Sequence, residues 1–411
     1  MKKPILFTII LFILTGYTFA QKNKTSFWES LFQKKRFSIE FKQVNHNIVI
    51  PAHINNSDTL WFILDTGLGT SLITELTSKD SLTINYAKKI KLKGLGDNES
   101  IDAYSSFGND IRIAGIHFKN QNINALLQDV FFLSRKSGCK INGIIGSTVF
   151  ERYIVRINYS NNKIDFIKPE FYKHKKRKRD ACLPLEFVNN KPYIRTWITD
   201  YKGNRTYVKL LIDTGASLAI WLQESDKIAI PEKKIYNIIG QGLNGNIFGH
   251  ISRIKNIELG QYTVKEPVVS FPDSTSLKSR EQNDHRNGSI GGDLLRRFNI
   301  IIDYPNKRIC FRKNHMYKKE FVYNNSGIEI ETPIPEIKYY LISSIMQDSP
   351  AYNAKLKEGD QIISINNKNA QELELKDIHE ILSSTKREKI YIRVLRDRKK
   401  MSFIIITKKM I

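Results

Sequence analysis

The tripeptide Asp-Thr-Gly occurs at Asp65-Thr66-Gly67 and again at Asp213-Thr214-Gly215, 148 residues later. Each copy follows an apolar run of the kind found in buried strands: Trp61-Phe62-Ile63-Leu64 before the first and Leu210-Leu211-Ile212 before the second. Two carboxyls brought face to face by such a duplication cannot both ionise readily and therefore share a proton. One can then take a proton from a water molecule while the other gives its proton to a carbonyl oxygen. This is acyl hydrolysis with neither a metal nor a nucleophilic side chain. A single Asp-Thr-Gly would carry little weight, because Asp-Gly turns are common.

The duplication extends beyond the tripeptides. Asn142-Gly143-Ile144-Ile145-Gly146 is answered 145 residues later by Asn287-Gly288-Ser289-Ile290-Gly291. Between these landmarks, Lys93-Gly94-Leu95-Gly96-Asp97-Asn98 is answered by Gly240-Gln241-Gly242-Leu243-Asn244-Gly245, both read as Gly-rich turns of hairpins. After each Asn-Gly segment come a short helical stretch, a strand, a turn and a second strand, ending at Ile164-Asp165-Phe166 in one copy and Ile309-Cys310-Phe311 in the other. Three landmarks in one order at nearly one offset make the chain two copies of an all-β unit.

This pattern resembles the aspartic peptidases, and most closely the retropepsin-type lobes of bacterial exported proteins, over residues 36–312. The resemblance implies a mainly β fold with two-lobed aspartic-protease (acid protease, retropepsin-like) β-barrel architecture. It implies catalytic roles for Asp65 and Asp213. Thr66, Gly67, Thr214 and Gly215 support the pair, the threonine hydroxyls bonding to the opposite loop and the glycines allowing tight turns. Ile144, Ile145 and Gly146 are expected beneath the first loop, with Ser289, Ile290 and Gly291 beneath the second. Pepsin-like sites carry a hydroxyl residue after the tripeptide; here Leu68 and Ala216 stand in its place. Fewer hydroxyl donors stabilise an ionised carboxylate less, which implies an optimum less acidic than pepsin's.

Gly94, Leu95 and Gly96 in the first copy, and Gly240, Gly242 and Gly245 in the second, are candidate flaps over substrate, with ordinary turns as the plainer reading. Tyr104 and Trp221 are candidates for the cleft wall, although Trp221 reads better as core. The histidines, among them His53, His117, His174, His250, His285 and His379, show no metal-ligand spacing. Gly288-Ser289-Ile290-Gly291-Gly292 is explained by the repeat rather than by a serine nucleophile. Neither a metal nor a cofactor is expected.

The repeat stops near Phe311, and a different order begins at Asn324. It runs through Gly327-Ile328-Glu329-Ile330, a strand over Tyr339–Ile345 and Ser349-Pro350-Ala351. Leu356-Lys357-Glu358-Gly359-Asp360-Gln361-Ile362-Ile363-Ser364-Ile365-Asn366 follows, then a helix near Leu375–Leu382 and two final strands. This resembles the bacterial PDZ domain. The resemblance implies that a peptide adds as a strand along Gly327, Ile328, Glu329 and Ile330, against a helix wall that includes Ile378 and His379, with backbone N–H groups receiving its terminal carboxylate. A docking module that binds no free peptide is the alternative.

The expected division is therefore 1–20 export signal, 21–172 first lobe, 173–180 linker, 181–315 second lobe and 322–411 PDZ-like domain. Lys2 and Lys3, the short apolar run Ile5–Leu14 and Thr18-Phe19-Ala20 have the order of a secretory signal cut after Ala20. This implies an exported protein, periplasmic or secreted, with no transmembrane anchor after cleavage. Export permits disulfides. Of Cys139, Cys182 and Cys310, the last two bracket the second lobe and could pair, though the sequence leaves this open. The net charge of +24 is spread along the chain without a nucleic-acid motif and reads as a solvated surface, and the run Lys173–Arg179 as an exposed linker.

The expected function is endoproteolysis of exported or envelope proteins. The partners are peptide or protein substrates and a C-terminal peptide ligand of the PDZ-like domain. A non-catalytic peptide-binding scaffold is the alternative. A charge-driven surface adhesin, recognisable by salt-sensitive binding, is a third reading.

Overall fold

The computed structural model describes residues 35–411, apart from 78–79, 97–99, 176, 278–284 and 387. The expected export signal lies outside the described residues, as do Asp97 and Asn98 of the first Gly-rich turn and Lys176 of the linker.

Each half of the repeat builds a sheet around one central strand. Leu60–Leu64 pairs antiparallel with Asn47–Ile54 on one side and parallel with Gly143–Ile145 on the other. In the second half, Arg205–Ile212 pairs antiparallel with Lys191–Thr199 and parallel with Gly288–Ile290. A short strand, Ser71–Ile73 or Ile220–Leu222, then runs antiparallel along the far side of the Gly-initiated strand. Strands covered on both faces need unbroken apolar sequence, which is why Leu60–Leu64 and Leu210–Ile212 show no polar alternation.

The strands that close each copy do not stay in their own lobe. Arg36–Glu40, Lys163–Ile167 and Ile154–Asn158 join Phe298–Asp303, Arg308–Lys313 and Ala181–Pro184 in one six-stranded sheet that spans both lobes. Val155 faces Ile302 at its centre, and Phe150 of the first lobe stacks on Tyr304 of the second at 5.9 Å. One apolar core therefore runs from lobe to lobe, including Ile157, Phe166, Ile300 and Phe311. Cys182 and Cys310 sit opposite each other in the outer strand pair and form a disulfide, while Cys139 is a free, half-buried thiol. The backbone of the basic linker is tied to lobe 2: Gln261 Nε2 donates to Lys178 O, Tyr262 OH donates to Arg179 O, and buried Asp180 pairs with Arg312 at 2.7 Å.

The C-terminal domain has a separate core, including Ile328, Ile342, Ile362, Ile378 and Val394. Its strands are Ile328–Glu331, Leu341–Ile345, Gln361–Ile365, Lys389–Arg396 and Lys399–Ile406, with the first at the sheet edge and the two-residue strand Lys368–Asn369 paired to the third. The helix Leu375–Leu382 starts at a capping box made by Glu374 and Asp377. It runs antiparallel to the edge strand, because Asn325 bonds to Ser383 O and Ser384 O at its far end while Leu375 lies beside Thr332 and Gly138. Both ends of the domain return to the core of the two lobes. Arg253, itself buried, donates to Phe321 O at 2.8 Å where the chain enters and to Ile411 O at 3.4 Å where it comes back.

Candidate active site

The two Asp-Thr-Gly loops meet at the lobe boundary and lock each other. Thr66 N donates to Thr214 Oγ1 and Thr214 N donates to Thr66 Oγ1, both at 3.1 Å. Thr66 Oγ1 in turn donates to Ile212 O at 2.6 Å, and Thr214 Oγ1 to Leu64 O at 2.7 Å. Each hydroxyl thus accepts from the opposite loop's amide and donates to the opposite strand's carbonyl, as the resemblance implied. The segments expected beneath the loops are there: Asp65 N donates to Ile145 O at 2.9 Å, and Asp213 N to Ile290 O at 3.0 Å.

The glycines leave room for the acids. A Cβ on Gly67 would lie 3.0 Å from Asp213 Cγ, and one on Gly215 would lie 2.3 Å from Asp65 Cγ. Each carboxyl therefore packs over the other loop's glycine, where a side chain would collide with it. Asp65 Oδ1 accepts from Gly67 N at 2.6 Å; Asp213 Oδ1 accepts from Gly215 N at 3.2 Å and Ala216 N at 3.0 Å.

Electrostatics separate the two acids. Burial, and after it the charge of Asp213, holds the Asp65 carboxyl well above the usual carboxylate range. Asp213 is also raised by burial, but the positive charge of Arg286 and the amides of Ala216 and Gly215 oppose that rise. Both carboxyls are thus held above the ordinary range, so the buried pair keeps one proton between them.

The two Gly-rich hairpins touch each other. Gly94 N donates to Asn244 Oδ1 at 2.5 Å, and Asn244 N donates to Leu95 O at 2.9 Å. Gly242 allows this crossing, since a Cβ there would sit 2.0 Å from Leu95 O. Gly96 and Gly245 take the left-handed backbone, with φ of 116° and 106°. Gly240 belongs to the strand rather than the tip, beside a bulge after Ile238. Tyr104 is exposed, and Trp221 packs against the lobe core as expected.

In the C-terminal domain the expected groove residues divide. Ile328, Ile330 and Ile378 are core residues, exposed by only 1%, 4% and 0%. Their alternation identifies the buried face correctly, but that face is filled from within the domain. Glu329 points outward and accepts from Asn324 Nδ2 at 3.2 Å. His379 is half-buried, with Nε2 lacking a partner. The amides at the carboxylate-binding end are already bonded: Gly327 N donates to Asn324 Oδ1 at 3.0 Å and Ile328 N to Ser326 Oγ at 3.2 Å.

Several site residues escaped the sequence reading. Asn142 Oδ1 accepts from Trp61 N at 2.9 Å and Asn287 Oδ1 from Lys209 N at 2.8 Å, so each asparagine clamps the strand leading to its acid. Their shared place before Gly in both copies was the available signal. Arg286 lies outside the matching positions and left none. Among the described residues, the one set with metal-ligand proximity is His174, Cys182 and Cys310. Its two sulfurs are joined to each other and so are not thiolates.

An aspartyl protease family model matches twice, over residues 50–149 and 199–294, and a PDZ domain model matches residues 341–396. No curated protein matches the chain in sequence. A crystal structure of the aspartic proteinase from Irpex lacteus is similar at 12% identity and TM-score 0.44, covering 69% of this chain and 99% of that one.

Proposed function

We propose that this chain, built from two aspartyl protease units and a C-terminal PDZ domain, is an endopeptidase of exported or envelope proteins in which Asp65 and Asp213 activate water. The observation that carries the reading is the reciprocal threonine lock, which holds two unequal carboxyls together. Ionised Asp213 takes a proton from water as its oxygen bonds to the scissile carbonyl carbon. Asp65 gives its proton to the carbonyl oxygen, producing a tetrahedral diol. Asp213 then passes its proton to the amide nitrogen, a diol hydroxyl returns a proton to Asp65, and the C–N bond breaks. The export reading is supported by the N-terminal sequence and by the disulfide. No described helix is long and apolar enough to cross a membrane.

The test is cleavage of a diverse peptide mixture across pH by the mature chain, beside Asp65→Asn and Asp213→Asn. Wild-type cutting that both substitutions abolish supports the shared pair. A folded wild type that cuts nothing at any pH sinks the peptidase reading in favour of a peptide-binding scaffold.

A further inference from the structure

The open end of the PDZ edge strand is not free. The helical turn Leu133–Ser137 of lobe 1 is seated on it. Thr332 N donates to Arg135 O at 2.8 Å and Glu336 N to Gly138 O at 3.1 Å, while Arg135 Nη2 pairs with Glu331 Oε1 at 2.6 Å. Gly138 lies against the first residue of the PDZ helix, since a Cβ there would be 3.3 Å from Leu375 Cδ2. A backbone carbonyl accepting from an amide at the strand edge is the type of contact by which PDZ domains take an added strand. Here this chain supplies the carbonyl. The other end of the edge is closed by Asn324 and Ser326, as described above.

The same turn grips the Gly-rich hairpin of lobe 2. Lys136 Nζ donates to Gln241 Oε1, and Gln241 Nε2 donates to Val130 O. Gln241 belongs to the lobe 2 hairpin whose tip bonds to Gly94 and Leu95 of the lobe 1 hairpin. A continuous set of bonds therefore runs from Thr332 and Glu331 through residues 130–138 to the crossed hairpin tips. The seat is imperfect: Arg135 Nε, Thr332 Oγ1 and His379 Nε2 are all buried without partners. Buried polar atoms left unpaired disfavour the docked state, so it can be displaced.

We propose that the segment Phe132–Gly138 is an internal occupant of the PDZ edge and that, while seated, it holds the two candidate flap hairpins crossed; an extended protein segment that takes the amides of Thr332 and Glu336 releases them. The consequence for catalytic rate rests on the peptidase reading; the docking and its link to the hairpin do not.

The test uses the full chain, with hydrogen exchange at the amides of Thr332, Glu336 and residues 241–246 and hydrolysis of a fluorogenic peptide as readouts. Arg135→Glu should speed exchange at all these amides at least tenfold and raise kcat/KM several-fold. Arg135→Glu with Glu331→Arg should restore both. Lys136→Ala should speed exchange in the hairpin alone. Unchanged exchange at Thr332 and Glu336 in Arg135→Glu overturns the docking, and unchanged exchange in the hairpin overturns the link. If hairpin exchange rises while a measurable wild-type rate does not change, the regulatory role is overturned. If no form hydrolyses peptide, the peptidase reading fails, and the exchange data alone decide the clamp.

Discussion

In lobe 1, Ser38 Oγ donates to Asp165 Oδ1 at 2.7 Å across the outer strand pair of the shared sheet, and Arg36 adds an ion pair at 2.6 Å. At the matching place in lobe 2, Cys182 and Cys310 are joined covalently. The same contrast holds at the loops. Both acids sit on identical tripeptides with reciprocal threonine bonds, yet Asp213 has Arg286 near it and Asp65 has the charge of Asp213. Duplication supplies two equivalent positions, and residues outside the repeated motifs give them different chemistry.

The sharpest way to break this comparison is to remove one acid at a time. Asp65→Asn and Asp213→Asn should each lower kcat by about 10³-fold or more, and the double variant should be no slower than either, because the pair acts as a unit. The stability consequence follows from the sign of the shift. The raised Asp65 binds its proton more tightly in the folded protein, so stability is full below the unfolded pKa and falls as pH rises toward the folded value. Asp65→Asn should therefore melt higher than wild type at neutral pH and lose that advantage in acid, as thermal melts across pH would show.

The outer strand pairs come next. Cys182→Ser should cost about 2–5 kcal/mol in chemical denaturation, whereas its lobe 1 counterpart Ser38→Ala should cost about 1 kcal/mol. Equal losses would mean that the disulfide adds nothing beyond a hydrogen bond. Thr66→Val and Thr214→Val each leave a buried amide and a buried carbonyl unpaired and should cost about 1–3 kcal/mol each. Similar losses at the two positions would support the symmetry of the lock. The smallest effect is expected at Arg286. Arg286→Gln removes the charge that lowers Asp213, so the acid limb of the pH–rate profile should move to higher pH. An unmoved limb would place the asymmetry of the acids elsewhere.

What could be read from sequence was whatever the chemistry forces to recur. Two acids, their threonines, the crossing glycines and the Asn-Gly segments occupy matching positions because each copy must build the same loop. The strands and helix of the PDZ domain were legible from their period. The sheet shared by the lobes was not, because Val155 and Ile302 are ordinary core residues whose pairing leaves no local pattern. Nor was the turn on the PDZ edge: Arg135 and Glu331 are 196 residues apart, and neither is unusual where it stands. The same limit explains Ile328, Ile330 and Ile378, whose periodicity reveals a covered face without revealing what covers it.

Arg253 gives the PDZ domain a mechanical character. One guanidinium holds the carbonyls of Phe321 and Ile411, so the two chain segments that bound the domain share one fastener on lobe 2. Loss of that one side chain frees both segments at once. Arg253 is then the rivet through both seams on lobe 2, and the ion pair between Arg135 and Glu331 is a separate rivet on lobe 1.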